Sequence, residues 1–66
     1  MIICLKKNLY PKRAINKAAE VYKDLAKFTI SEKDGYYLTE LSQIDKDVKA
    51  IIKDEFCNYI ISEIKS

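Results

Sequence analysis

The chain has 66 residues, 48% of them apolar, a net charge of +2 and no histidine. A chain this short buries only about 60% of its unfolded surface, so we expect one small domain over residues 1–66 with a single modest core. General acid–base catalysis usually needs His or pocketed carboxylates, and a phosphate loop needs more than the one glycine present, so we predict no enzyme, no catalytic residue, no cofactor and no metal site.

The first segment, Ile2 to Leu9, has the alternation of a β-strand. We place Ile3, Leu5 and Leu9 on one side of it and the remaining polar or small side chains on the other. Tyr10-Pro11 ends this segment, since the residue before a proline is pushed out of helical geometry, and the helix follows.

The second segment, Tyr10 to Ala26, is predicted to be an amphipathic helix with Pro11 as its first helical residue. One face is apolar, and we expect it to pack on the sheet: Ile15, Ala18, Ala19, Tyr22, Leu25 and Ala26. A helix of this length is marginal alone in water, so docking must stabilise it.

A β-hairpin is predicted next, with a strand over Lys27 to Glu32 and a turn at Lys33-Asp34-Gly35. A two-residue turn at Asp34-Gly35 would place Tyr37, Thr39 and Leu41 on the inner face with Phe28 and Ile30. A type I turn with Gly35 as a bulge would place Tyr36 and Leu38 there instead. We favour the bulged turn, because it pairs Ile30 with Leu38.

The last predicted helix has Asp45 as its N-cap and Asp47 in its first turn. Its main apolar stripe consists of Val48, Ile52, Phe56, Tyr59 and Ile60, and a second set widens it: Ile51, Cys57, Ile61 and Ile64. Either the helix is wedged between the sheet and the first helix, or its flank is exposed and serves a partner or a second copy.

The element order β-α-β-β-α indicates an α+β fold. A right-handed crossover makes the first two strands parallel, and the hairpin strand then inserts between them. We therefore predict a three-stranded sheet of order 1-3-2 with two helices on one face, a ferredoxin-like unit lacking its fourth strand. The first strand would be an open edge, which must be covered, blunted or used.

Cys4 and Cys57 are each flanked by apolar residues, and we interpret both as buried, reduced thiols. Ile2 to Leu5 is too short an apolar run for a signal peptide, and no run approaches the roughly 20 residues that span a bilayer. We expect a cytoplasmic protein without a membrane partner.

The charges are unevenly distributed: residues 1–27 hold seven basic and two acidic side chains, whereas residues 28–66 hold five and eight. This pattern fits two solvated faces of opposite bias. It also fits a basic partner-binding surface formed by Lys6, Lys7, Lys12, Arg13 and Lys17.

Three uses of these features are compatible with the sequence. An extended peptide or protein segment could add beside the first strand through main-chain hydrogen bonds, which is the function that we favour. The same edge could pair with its twin in a homodimer. The alternative function is a small nucleic-acid-binding protein that uses the basic N-terminal half.

Several short motifs also resemble one family. Tyr10, Ala14-Ile15, Ala18-Ala19 and Tyr22, then Phe28, and later Phe56-x-Asn58 followed by Tyr59-Ile60-Ile61 resemble the HxsD-like proteins of the His-Xaa-Ser system, over residues 9–62. The resemblance implies an accessory role beside radical SAM enzymes in peptide maturation. Phe56 and Asn58 carry over as matching positions. Asn58 is interpreted as a polar residue that bonds nearby backbone, with partner binding as the alternative, and Ile61 as part of the partner surface.

Overall fold

The computed structural model describes residues 1–65. Its elements, in chain order, are β1 (Ile2–Lys6), α1 (Lys12–Val21), β2 (Lys27–Lys33), β3 (Tyr36–Ser42) and α2 (Ile52–Lys65). The strands form one sheet of order β1-β3-β2, so the predicted α+β architecture is confirmed. β3 is antiparallel to both outer strands, which are therefore parallel to each other.

The hairpin uses the two-residue turn, and the favoured bulged turn was wrong. Lys33 pairs with Tyr36, and Ile30 pairs with Thr39 rather than with Leu38. Asp34 has φ 51° and Gly35 has φ 82°. Positive φ at both central residues is the geometry of a type I′ turn, whose twist matches that of the flanking strands. Thr39 and Leu41 therefore face the helices, and Tyr36 and Leu38 lie on the other side.

Helix α1 is shorter than the predicted Tyr10 to Ala26. Pro11 is not its first helical residue but its N-cap, with extended backbone at φ −66° and ψ 141°. The Pro11 carbonyl accepts the first helical hydrogen bonds, from Ala14 at 3.0 Å and Ile15 at 3.3 Å. The helix ends at Val21, and the Leu25 carbonyl accepts a hydrogen bond from the Asp45 amide (2.8 Å). That bond holds the turn that leads into β2.

The predicted start of the last helix was also wrong. The Asp45 carboxylate accepts a hydrogen bond from the Asp47 amide at 2.9 Å, which forms a local turn and does not cap a helix. Residues 46–51 form turns, and α2 begins only at Ile52. Ile52, Phe56 and Ile60 are buried at four-residue spacing. Ile51 and Ile61 are exposed, so part of the wide stripe faces solvent.

The core lies between the helices and one face of the sheet. It contains two residues of β1, one of β3, three of α1, three of α2 and one residue just before β2: Ile3, Leu5, Leu41, Ala14, Ile15, Ala18, Ile52, Phe56, Ile60 and Ala26. Leu9 and Cys4 were expected to be buried or inward-facing, and both are exposed. Leu9 lies beyond the end of β1, and Cys4 points to the opposite face from Ile3 and Leu5. Within residues 1–65, no helix has the length and apolar character needed to cross a membrane.

Candidate binding surfaces

The hydrogen bonds at the two ends of β1 show which of its main-chain groups face β3 and which face outward. Met1 and Leu41 exchange main-chain hydrogen bonds of 3.2 and 2.8 Å, and the Lys7 amide donates to the Gly35 carbonyl at 3.0 Å. Antiparallel ladders alternate, so every second residue of the strand bonds inward to β3. The main-chain groups of the intervening residues point outward: Ile2, Cys4 and Lys6. This edge is partly closed, because the Lys6 carbonyl accepts from the Leu9 and Tyr10 amides at 3.1 and 2.9 Å.

The edge of β2 is longer, and within residues 1–65 no hydrogen bond occupies its outward main-chain groups. The two-residue turn is closed by the pair Lys33 and Tyr36, so Ser31 and Thr29 also bond inward to β3. The N–H and C=O groups of Phe28, Ile30 and Glu32 point outward. β2 therefore offers three successive outward donor–acceptor pairs. The sequence directed attention to the first strand, yet β2 is the better-exposed edge.

A groove runs beside this edge, between β2 and α1. It has a volume of about 320 Å³ and is lined by Asn16, Ala19, Glu20, Lys23, Ala26, Lys27 and Phe28. Ala19 has a small side chain, and the Phe28 ring is half-buried, so the floor is apolar. Lys23 and Glu20 pair on the rim at 3.2 Å. A side chain next to the β2 edge could therefore enter the groove without displacing a buried group.

At the hairpin end of the sheet, Glu32 organises two of the predicted basic residues. The Lys7 ammonium lies 2.7 Å from the Glu32 carboxylate and 5.4 Å from the centroid of the Tyr37 ring. The Lys12 ammonium lies 3.6 Å from the second carboxylate oxygen. The hydrogen bond from Lys7, followed by the charge of Lys7, lowers the pKa of Glu32. The same hydrogen bond to Glu32 is the largest cause of the raised pKa of Lys7.

The five predicted basic residues do not all lie on one face of the molecule. Lys7 contacts Tyr37 on the helix side of the sheet, whereas Lys6 aligns with Tyr36 on the opposite side. Lys12 is neutralised in part by Glu32, and Arg13 and Lys17 are exposed on α1. A phosphate backbone that contacted Lys7 on the helix side would therefore not contact Lys6 on the same face.

The two predicted partner residues of α2 are at the surface. Asn58 is exposed, and its side chain makes no hydrogen bond within residues 1–65, so the interpretation that it bonds nearby backbone was wrong. Ile61 is 40% exposed. Both remain available to a partner.

The second face of the sheet carries no helix. Its side chains form cross-strand rows of Lys6, Tyr36 and Lys33, then Cys4, Leu38 and Ser31, then Ile2, Glu40 and Thr29. A shallow depression of about 440 Å³ lies at its hairpin end, lined by Cys4, Lys33, Asp34, Tyr36 and Leu38. Sequence reasoning missed this surface because it depends on the hairpin register. The Asp-Gly pair was the signal that could have fixed that register.

Comparison with protein-family models, with curated proteins and with solved structures found no match for this chain. The resemblance to HxsD-like proteins therefore stays a prediction. Within the described part of the chain, no group of three or more Cys, Asp or Glu side chains is arranged to hold a metal ion.

Proposed function

We propose that this protein is a non-catalytic binding domain that captures an extended peptide segment of a partner by adding it as a fourth strand beside β2. The observation that carries the proposal is the row of outward main-chain groups at Phe28, Ile30 and Glu32. Strand addition uses such groups for affinity and side-chain pockets for specificity.

The surroundings of β2 indicate which segments would fit. On the helix side, alternate residues of the added strand would meet the groove floored by Ala19 and Phe28. On the other side, Lys27 and Lys33 lie at the two ends of β2. An extended segment with small apolar residues toward the groove and acidic residues toward these lysines matches both sides.

The suggested pathway follows from the resemblance alone. In an HxsD-like role the captured segment would be a peptide undergoing maturation by a radical SAM enzyme in the cytoplasm, and this chain would hold it for that enzyme. The strand-addition proposal stands without this pathway.

The test begins with a randomised peptide library selected on the immobilised chain. Selected peptides are titrated into ¹⁵N-labelled protein. We expect the largest amide-proton shifts, and new protection from exchange, at Phe28, Ile30 and Glu32. Peptides that bind while leaving these three amides unchanged would contradict the proposal.

Two synthetic chains with matched changes distinguish capture at β2 from capture at β1. N-methylation of Ile30 removes an outward donor of β2 without touching the ladder to β3, and should abolish capture. N-methylation of Cys4 makes the same change at the edge of β1 and should leave capture intact. If N-methylation of Cys4 abolished capture and that of Ile30 did not, the peptide would bind at β1 instead.

A further inference from the structure

The helix-free face of the sheet carries charges on all three strands, of which strand addition beside β2 would meet only those on β2, Lys27 and Lys33. Lys6 and Lys33 flank Tyr36 at one end of the face. Glu40 lies two rows away, between Ile2 and Thr29, and Lys27 lies beside Ser42 in the row after it. All four charged side chains are exposed, and within residues 1–65 none of them has an ion-pair partner.

Between the charged ends lies a less polar row, formed by Cys4, Leu38 and Ser31. Ile2 is 61% exposed and Tyr36 is 37% exposed on the same face. The face therefore presents a less polar middle, with Lys6 and Lys33 at one end and Glu40, followed by Lys27, at the other. Turned end over end, such a surface brings the Glu40 carboxylate of one copy to the Lys6 and Lys33 ammonium groups of the other.

We propose that this face docks onto the same face of a second copy, about a two-fold axis that runs across the strands at the Cys4, Leu38 and Ser31 row. Isologous interfaces place one patch against itself. In this arrangement Glu40 of one copy lies over Tyr36 of the other, between the cations Lys6 and Lys33. Leu38 meets Leu38, and Cys4 meets Cys4.

Charge excludes the other two-fold arrangement of the same faces. An axis parallel to β3 would place the row of Lys6, Tyr36 and Lys33 over the same row of the second copy. The four ammonium groups would then oppose each other, and Glu40 would face Glu40. Like charges brought together across an interface oppose association, so of these two axes the one across the strands gives complementarity.

The size of the face sets the strength of the dimer. Seven residues at about 3.4 Å and three strands at about 4.8 Å give a surface near 340 Å² per copy. Two such faces bury well below the roughly 1,200 Å² of a stable specific interface. The dimer is therefore weak and reversible, and it leaves the β2 edge free.

Charge exchange tests the proposal. Sedimentation equilibrium from micromolar to millimolar protein should show a monomer–dimer equilibrium. Glu40→Lys should raise the dissociation constant at least tenfold, and so should the double variant Lys6→Glu/Lys33→Glu. The triple variant that combines both changes should restore dimerisation. Asp24→Lys makes the same change in net charge as Glu40→Lys away from this face, and should dimerise like the unmodified chain.

Cross-linking locates the axis. With Cys57 replaced by Ser, a short bis-maleimide should join Cys4 to Cys4 at concentrations where the dimer forms. A chain whose single thiol is supplied by Ser62→Cys, on α2, should not cross-link. An axis parallel to β3 would separate the two Cys4 residues by about 10 Å more across the strands, and would give little product.

Three results would overturn the proposal. The first is a monomer at every concentration. The second is a dimer whose affinity is unchanged by Glu40→Lys. The third is a triple variant that fails to recover while remaining folded by circular dichroism. Binding of a single-stranded oligonucleotide to Tyr36, with no self-association, would assign the face to nucleic acid instead.

Discussion

The Phe28 ring in β2 stacks on the Phe56 ring in α2, with centroids 5.0 Å apart and planes inclined at 24°. Phe56 is fully buried. The contact ties the last helix to an outer strand of the sheet and lies directly beneath the proposed peptide groove.

Removal of the Phe56 ring should unfold the protein. A buried Phe→Ala change costs about 3–5 kcal/mol, and a core of this size rarely supplies more than about that amount. We expect Phe56→Ala to lose the cooperative urea transition measured by circular dichroism. Ile61→Ala, at an exposed position of the same helix, should keep its midpoint close to that of the unmodified chain. A cooperative transition in Phe56→Ala would show that the core is less dependent on this ring.

Gly35 should contribute to stability only through its backbone conformation. A Cβ added at Gly35 would meet no atom within 4 Å, but its φ of 82° disfavours L-residues. Left-handed geometry costs a non-glycine residue about 1–2 kcal/mol, so Gly35→Ala should lose that amount of unfolding free energy. Asp34→Asn, which suits the first position of a type I′ turn, should be neutral or slightly stabilising. An unchanged Gly35→Ala midpoint would argue against this turn.

Replacing the buried hydroxyl of Thr39 by an apolar group should stabilise the protein. Its side chain is fully buried on the helix side of β3, and its hydroxyl has no hydrogen-bond partner among residues 1–65. An unpaired buried hydroxyl costs about 1–3 kcal/mol in proteins. We expect Thr39→Val, which replaces the hydroxyl by a methyl group, to raise the urea midpoint. Thr39→Ser keeps the hydroxyl and loses the methyl group, and should lower it. A less stable Thr39→Val would imply that the hydroxyl is satisfied in solution.

The ion pair between Lys7 and Glu32 should make a pH-dependent contribution to the free energy of unfolding. The lowered pKa of Glu32 means that its contribution is present above the usual 4.5 and is lost as pH falls through the lowered value. The raised pKa of Lys7 means that its contribution is present below 10.5 and is lost as pH rises above the raised value. Glu32→Gln should therefore lower the midpoint at neutral pH and have no effect in strong acid.

Both groups are exposed, so added salt should reduce the effect of Glu32→Gln. Glu40→Gln, at low protein concentration, removes a carboxylate that has no ion pair in the described chain and should leave the midpoint at neutral pH unchanged. An effect of Glu32→Gln that persists in acid would point to packing rather than charge.

The two thiols should react at different rates. Cys4 is exposed, whereas Cys57 is partly buried and burial raises the pKa of its thiol. Because the thiolate is the reactive form, we expect Cys4 to be alkylated first by iodoacetamide at low protein concentration. Mass spectrometry of the digested product identifies the modified residue. Equal labelling would mean that α2 opens readily.

Much of the fold could be predicted because alternation and helical spacing report burial directly. Ile3 and Leu5, and the four-residue spacing of Ile52, Phe56 and Ile60, place these residues in the core from the sequence alone. The hairpin register could not be settled this way, because Leu38 looks like a better inward residue than Thr39. The geometry of Asp34 and Gly35 decided the register against that preference.

The binding surfaces were harder to predict. Clustering of lysines along the sequence suggested one basic patch, but alternation in β1 separates Lys6 from Lys7, and Glu32 engages Lys7 and Lys12 across the sheet. The openness of the β2 edge depends on which strand is central and on which residues bond inward. Both are properties of the assembled sheet.

The central strand of the sheet is also the last strand along the chain. Neither β1 nor β2 has a neighbour in the sheet without residues 36–42. The hairpin of β2 and β3 closes over a two-residue turn, whereas β1 pairs with residues 30 to 38 positions away. Because closing a long loop slows the formation of a contact, we expect β1 to join the sheet after the hairpin has formed.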